Sequence, residues 1–181
     1  GLLAAGEAKA ALSPLASSPR YTGTPFMQVW DADSHGAHIE NYCVVQNPHT
    51  GLIYVGNGRG VLEFDGVRWR LISPPDGESE VTSLCVDRQG RIWGCSFRTI
   101  IRLEPDARGE LRAFSMHPRL PATFRQQNFA FSVVATAQGV YACDRGSLIF
   151  FPNDDGPVQA WRVAEGSVQV TALWQINDEP Y

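Results

Sequence analysis

Between Gly51 and Ile72 the apolar residues come in short bursts. The runs are Gly-Leu-Ile-Tyr-Val-Gly-Asn-Gly-Arg-Gly, Val-Leu-Glu-Phe-Asp-Gly and Val-Arg-Trp-Arg-Leu-Ile. Bursts of this length, broken by glycine-bearing turns, predict strands rather than helices. The pattern returns. Gly90-Arg-Ile-Trp-Gly-Cys-Ser96 and Gly139-Val-Tyr-Ala-Cys-Asp144 repeat the first run. Ile101–Gly109 and Leu148–Gly156 repeat the second. Aligning Tyr54, Trp93 and Tyr141 gives a period of roughly 40 to 50 residues, the range of propeller blades.

Each repeat reads as four short strands. The innermost is a near-continuous apolar run: Tyr42–Gln46, Thr82–Val86 and Phe131–Ala135. Such runs fit strands covered on both faces. Asn47–Gly51, Asp87–Gly90 and Thr136–Gly139 supply the turns that follow. The outermost strands, Trp69–Ile72, Leu111–Phe114 and Gln159–Val163, are more polar. Pro25–Trp30 resembles an outermost strand standing alone. Placing it beside the last blade would close a ring with the chain's own N-terminus and remove exposed edges.

The expected organisation is therefore all-β, with propeller blades of four antiparallel strands. Residues 1–24 form an N-terminal helix and linker, stopped by Ser13-Pro14, because the residue before proline avoids the α region. Residues 25–181 form a partial propeller: closing strand 25–30, blades 40–72, 81–116 and 129–164, and the start of another at 168–181, turning at Asn177-Asp178. That is about three and a half blades, against about four to eight in complete propellers. The chain is expected to be the first part of a longer ring.

Composition narrows the function. The 181 residues are 44% hydrophobic, with a net charge of −4. No basic stripe is present, so nucleic acid is not an expected partner. Gly1–Leu12 is Ala-rich but interrupted by Glu7 and Lys9, unlike the apolar core of a secretory signal. Cys43, Cys85, Cys95 and Cys143 match no zinc spacing and are expected as free core thiols.

Candidate chemistry is sparse. Asp31-Ala-Asp-Ser-His-Gly36 looks like the front of a calcium loop, but Tyr42 stands where the bidentate Glu is needed. A solvated loop is expected instead. His35 and His38, with Asp33 and Glu40 nearby, have ligand spacing only on a helix. Gly56-Asn-Gly-Arg-Gly60 precedes a strand, so it predicts an Asn57-Gly58 hairpin and not a phosphate loop. No nucleophile elbow or Cys/His signature appears. Neither catalysis, metal nor cofactor is expected.

In a propeller, the connections into each inner strand and the second-to-third-strand turns share one face around the axis. Here these loops contain Glu40, Asn41, Asn57, Arg59, Glu80, Ser96, Arg98, Asn128, Asp144 and Arg145, the candidate ligand-binding residues. Arg59, Arg98 and Arg145 recur at about the same repeat position. Three guanidiniums around a funnel would suit an anionic or hydroxyl-rich ligand. The alternative is that each caps turn carbonyls or pairs with a neighbouring carboxylate.

Apolar inner strand, Asp-x-x-Gly turn, Arg-Ile-Trp-Gly and then Leu-x-x-Asp after a glycine turn: this order resembles the two-component regulator propeller repeats. Glu40-Asn-Tyr, Gly51-Leu-Ile-Tyr-Val-Gly-Asn, Gly60-Val-Leu-Glu-Phe-Asp-Gly and Trp69-Arg-Leu-Ile carry the likeness, which extends over roughly residues 25–176. Cys95 departs from it, standing where the family has Gly or a small hydroxyl residue. The resemblance implies a periplasmic, ligand-binding sensor, non-catalytic itself, for an unidentified small molecule or glycan. It implies that further blades, a triple-tyrosine β-sandwich, one membrane helix and a cytoplasmic output follow. That output would be a histidine kinase or diguanylate cyclase. Homodimerisation is a further expected association. The alternatives are a propeller scaffold for protein–protein interaction and a carbohydrate-active propeller enzyme.

Overall fold

The computed structural model describes residues 28–97, 99–125, 132–144, 146–162, 172–176 and 179–180. One turn of helix, α1 (Ala32–His35), precedes three four-stranded antiparallel sheets. Blade 1 is β1 (Asn41–Gln46), β2 (Ile53–Asn57), β3 (Gly60–Phe64) and β4 (Trp69–Ile72). Blade 2 is β5 (Val81–Val86), β6 (Ile92–Ser96), β7 (Ile100–Pro105) and β8 (Leu111–Ser115). Blade 3 is β9 (Ser132–Ala135), β10 (Gly139–Cys143), β11 (Ser147–Pro152) and β12 (Gln159–Arg162). A two-residue ladder, β13 (Gln175–Ile176) with β14 (Glu179–Pro180), follows. Strand order equals chain order in every blade, the meander expected of propeller blades.

The expected closing strand is not seen in Gln28–Trp30, which carry no strand; residues 25–27 lie outside the described residues. Trp30 instead packs edge-on against Phe64 at 4.9 Å and Trp69 at 6.0 Å. Likewise Ala172–Trp174 carry no strand, while residues 163–171 and the turn at 177–178 lie outside the described residues. The predicted N-terminal helix and linker, residues 1–24, also lie outside them.

Period-2 alternation gives each blade two faces. On blade 1, Val45, Tyr54, Val61 and Ile72 meet Val81, Leu84, Ile92 and Ile101 of blade 2 in one core. On blade 2, Trp93, Cys95 and Ile100 meet Val133, Val140, Ile149 and Phe151 of blade 3 in another. The second-strand aromatic therefore points toward the following blade in both seams. Trp93 and Phe151 touch with ring centroids 5.1 Å apart.

The cysteines fit this packing. Cross-strand partners are Cys43 with Gly56, Ser83 with Cys95, and Ser132 with Cys143. Each pair holds one sulfur opposite a small residue. A Cβ on Gly56 would run into the Val81 backbone carbonyl of blade 2 and stand 2.6 Å from the Cys43 sulfur, so the next blade's backbone and the sulfur together leave room only for glycine. All four thiols are free. Burial pushes the Cys143 thiol up to about 11 and that of Cys95 well above its ordinary range.

Buried polar residues sit at the corners. Asn47, Asp87 and Thr136 end the first strands, while Asn57, Ser96 and Asp144 end the second. Each satisfies turn backbone, as burial demands. Asp87 accepts from the amides of Gln89 and Arg91, from Arg91 Nε and from Trp93 Nε1. Asn47 reaches across the first seam, donating to the Gly90 carbonyl at 2.8 Å. At the second seam the Ser83 hydroxyl accepts from the Val133 amide at 3.1 Å. Farther out, Asp155 accepts from Arg91, Arg102 and Arg119. It is the one described non-glycine residue with positive φ, at 56°. Partial burial would raise its carboxyl, but the three guanidiniums, Arg102 foremost, hold it below the usual range.

Two measurements check this packing. Trp93→Ala empties the second seam and is expected to cost about 3–5 kcal/mol, read as a lowered denaturation midpoint. Val67→Ala, on an exposed turn, should leave that midpoint unchanged. In native protein Cys95 should resist a thiol reagent that modifies it once denaturant is added, because only the thiolate reacts. Rapid native labelling at Cys95 would contradict the seam.

Candidate functional site at the mouth between the first two blades

In a meander, the second-to-third-strand turn and the incoming connection emerge at the same edge. Between blades 1 and 2 this edge opens into a cleft of about 470 Å³ lined by Gly58, Asp76, Gly77, Glu78, Ser79, Glu80 and Phe97. Glu40 and Tyr42 stand next to it, bonded to Glu80 through the Tyr42 phenol.

The local chain explains the rim. Asn57 is fully buried and uses its whole amide. Its Oδ1 accepts from the His38 and Arg59 amides, and its Nδ2 donates to the His38 and Glu40 carbonyls and to Asn41 Oδ1. The incoming segment is thereby fastened to the hairpin. That hairpin differs by one residue from expectation. Asn57 pairs with Gly60, leaving Gly58 and Arg59 as its centre, and positive φ falls on Gly60. His38 lies against Gly58, where a Cβ would meet its ring at 2.6 Å.

Register shifts interrupt the ladder at Tyr42 in blade 1 and at Thr82 in blade 2. Such bulges re-aim side chains. Tyr42 Oη lies 3.0 Å from Glu40 Oε2 and 3.1 Å from Glu80 Oε2. One phenolic proton stands between two carboxylates. The hydrogen bond to Glu40, with desolvation and Glu80, pushes the phenol up to about 12.

Arg59, expected as a ligand-facing guanidinium, is held from both sides. Its Nε and Nη2 grip the two oxygens of Glu78, and Nη1 donates to the Gly36 carbonyl. The Glu78 carboxylate raises the guanidinium, and the guanidinium lowers the carboxyl. With Glu40, Asp76, Glu78 and Glu80 against Arg59, the mouth is negative. Arg59 thus follows the alternative reading, pairing with a neighbouring carboxylate and capping a carbonyl. Ser96 is fully buried and donates to the Thr99 carbonyl. Asp144 is buried and accepts from the Gly146 amide. Asn41 and Glu40 are exposed at the rim, beside Glu80. Arg98, Asn128 and Arg145 lie outside the described residues.

Tyr42, Asp76, Glu78 and Phe97 were not among the sequence candidates. Only Phe97 carried a local signal: it is a large aromatic in a hairpin turn, where Gly, Asn or Asp is usual. It is half exposed, at 49%.

The other motifs have structural uses. Asp31 caps α1, its carboxylate accepting from the Ser34 amide and hydroxyl, which lowers its pKa. His35 Nδ1 accepts from the Ala37 amide. Among the described residues, no group of three or more His, Cys, Asp or Glu could hold a metal ion. No described helix is long and apolar enough to cross a membrane.

Two other hollows are open. One, of about 560 Å³, runs along the inner strands of all three blades past His49, Asp87 and Thr136. The second, of about 500 Å³, lies between the outer strands of blades 1 and 2 by Arg70 and Arg112.

No family model matches this chain, and no curated protein does. Solved structures do. The extracellular domain of the candidate hybrid two component system BT4673 from B. thetaiotaomicron aligns with a TM-score of 0.60 at 17% identity, over 82% of this chain and 21% of that one. That of BT3049 from the same organism aligns with a TM-score of 0.54 at 18% identity, over 76% and 20%. The chain thus spans about a fifth of the length of each. At these identities the likeness is one of fold.

The phenol gives a direct test. Its ordinary value is near 10. A raised folded-state value contributes stability that is fully present below about 10 and is lost as pH climbs toward about 12. In Glu80→Gln, the Tyr42 Cζ resonance should titrate at lower pH than in the parent. An unchanged midpoint would mean that Glu80 does not face the phenol.

Proposed function

We propose that this chain is part of the ligand-sensing extracellular domain of a membrane-anchored bacterial two-component signalling protein, held in the periplasm and without catalysis of its own. The observation that carries this reading is the fold shared with two extracellular domains of hybrid two component systems. The sequence likeness to regulator propeller repeats agrees with it.

The ligand enters at the mouth between blades 1 and 2. Carboxylates there accept hydrogen bonds, and Phe97 offers an apolar ring face. Glu40, Glu78 and Glu80 repel anions, so a neutral, hydroxyl-rich molecule such as a glycan fragment suits the site better than an acidic one. Binding reaches the remainder of the polypeptide through the seam that Tyr42 bridges. Asn57, Ser96 and Asp144 shape the loops from beneath and do not touch the ligand.

Binding to the folded state alone raises stability by ~2.7 kcal/mol at about 100 times the dissociation constant. Neutral oligosaccharides screened against the intact polypeptide should therefore include one that raises the melting temperature, and sulfated analogues should raise it less. Phe97→Ala and Glu80→Gln should each weaken that ligand by about tenfold, the effect of losing ~1.4 kcal/mol. Undiminished binding in both variants would move the site elsewhere.

A further inference from the structure

We infer that the seam between blades 1 and 2 is a joint: blade 1 tilts on blade 2 about the Asn47–Gly90 contact, opening and closing the mouth, while blades 2 and 3 move as one body. Comparison of the two seams, tie by tie, carries the argument. Cys43, Ser83 and Ser132 stand at the same register position, each opposite the small residue or sulfur of the second strand. Each faces the inner strand of the following blade. Ser83 Oγ accepts from the Val133 amide at 3.1 Å, and Ser132 Oγ from the Leu173 amide at 3.1 Å. In the first seam the atom facing the corresponding amide, that of Leu84, is the Cys43 sulfur. Sulfur is a weak acceptor where the other seams have a hydroxyl oxygen.

The outer strands differ in the same direction. Among the described residues, the ion pairs that run from blade to blade are Arg91–Asp155 and Arg102–Asp155, both in the second seam. In the first seam Arg70 spends its Nε and Nη2 on Glu63 of its own blade, and its Nη1 reaches the Leu111 carbonyl only at 3.5 Å. The links between blades differ too. That between blades 2 and 3 lays Met116, Leu120 and Phe124 into the second core, whereas Ser73–Glu80 adds none to the first. Hollows of about 470 and 500 Å³ flank the first seam at its mouth and at its outer strands. Its firm tie is at the end away from the mouth, where Asn47 donates to the Gly90 carbonyl at 2.8 Å and the His49 ring lies against Gly90. At the mouth end the tie is one exposed hydrogen bond, from the Tyr42 phenol to Glu80. A seam fixed at one end and weakly held at the other turns about the fixed end. Ligand entry at the mouth rests on the reading given above; the joint does not.

The experiment is methyl relaxation dispersion on the intact polypeptide without ligand, which reads exchange on the microsecond to millisecond scale of hinge motions. Val61, Val81 and Leu84 report on the first core, and Val133, Val140 and Ile149 on the second. The first set should show dispersion and the second should be flat. Cys43→Ser supplies the hydroxyl used in the other two seams. It should shrink the dispersion of the first set about fivefold, as gaining a net hydrogen bond does, and leave the second set unchanged. Tyr42→Phe, which removes the mouth-side bond, should enlarge it. Flat profiles in both sets, or equal dispersion in both, would overturn the joint. Dispersion confined to the first set but indifferent to both substitutions would overturn the assignment of its weak ties. A failure of every screened oligosaccharide to bind would count against the mouth as a ligand site and would leave these profiles as the measure of the joint.

Discussion

A four-stranded sheet with apolar residues on both faces cannot stand alone in water. Its alternation buries one set of side chains only by exposing the other, unless a second sheet covers that set too. Stacking is therefore the constraint from which the rest follows. In this chain each seam joins the aromatic face of one blade to the aliphatic face of the next. The polar groups withdrawn from water are those at the strand ends, where turn amides and carbonyls are within reach. The corner residues let blades pack close to the turns without stranding backbone groups.

This arrangement divides the labour between interior and rim. Asn57, Ser96 and Asp144 are spent on architecture, and their neighbours one or two residues away carry whatever the edge does. Phe97 follows Ser96, and Arg59 follows Asn57 by two. The loops at the mouth are thereby stiffened from beneath. The bulge at Tyr42 adds a link between the first strand of blade 1 and the entry to blade 2.

The repeat was legible because its signals are local: alternation, an aromatic at fixed register, and glycine-bearing turns. The pairing of each cysteine with a small partner was half visible, since Cys95 and Cys143 share a repeat position while Cys43 does not. The electrostatics of the mouth were not legible. Arg59 and Glu78 are 19 residues apart and meet only when the connection folds back over the hairpin. The Asp155 cluster draws on three arginines from β6's preceding turn, β7 and the link to blade 3, which no linear spacing brings together. The hairpin was found but placed one residue early, because the pull of an Asn-Gly pair toward the turn centre lost to the hydrogen bonds that Asn57 makes when buried.

Asp155 and Ser83 mark two radii of the same seam. Ser83 ties blade 2 to blade 3 near the axis, and the three guanidiniums tie them again toward the rim. Two sheets pinned at both radii have a fixed wedge between them. The wedge is what decides how many blades complete a full turn. The angle between these two blades is thus written into side-chain reach: a longer outer tie opens the wedge, the geometry of a ring with fewer blades, and a shorter one closes it, the geometry of a ring with more.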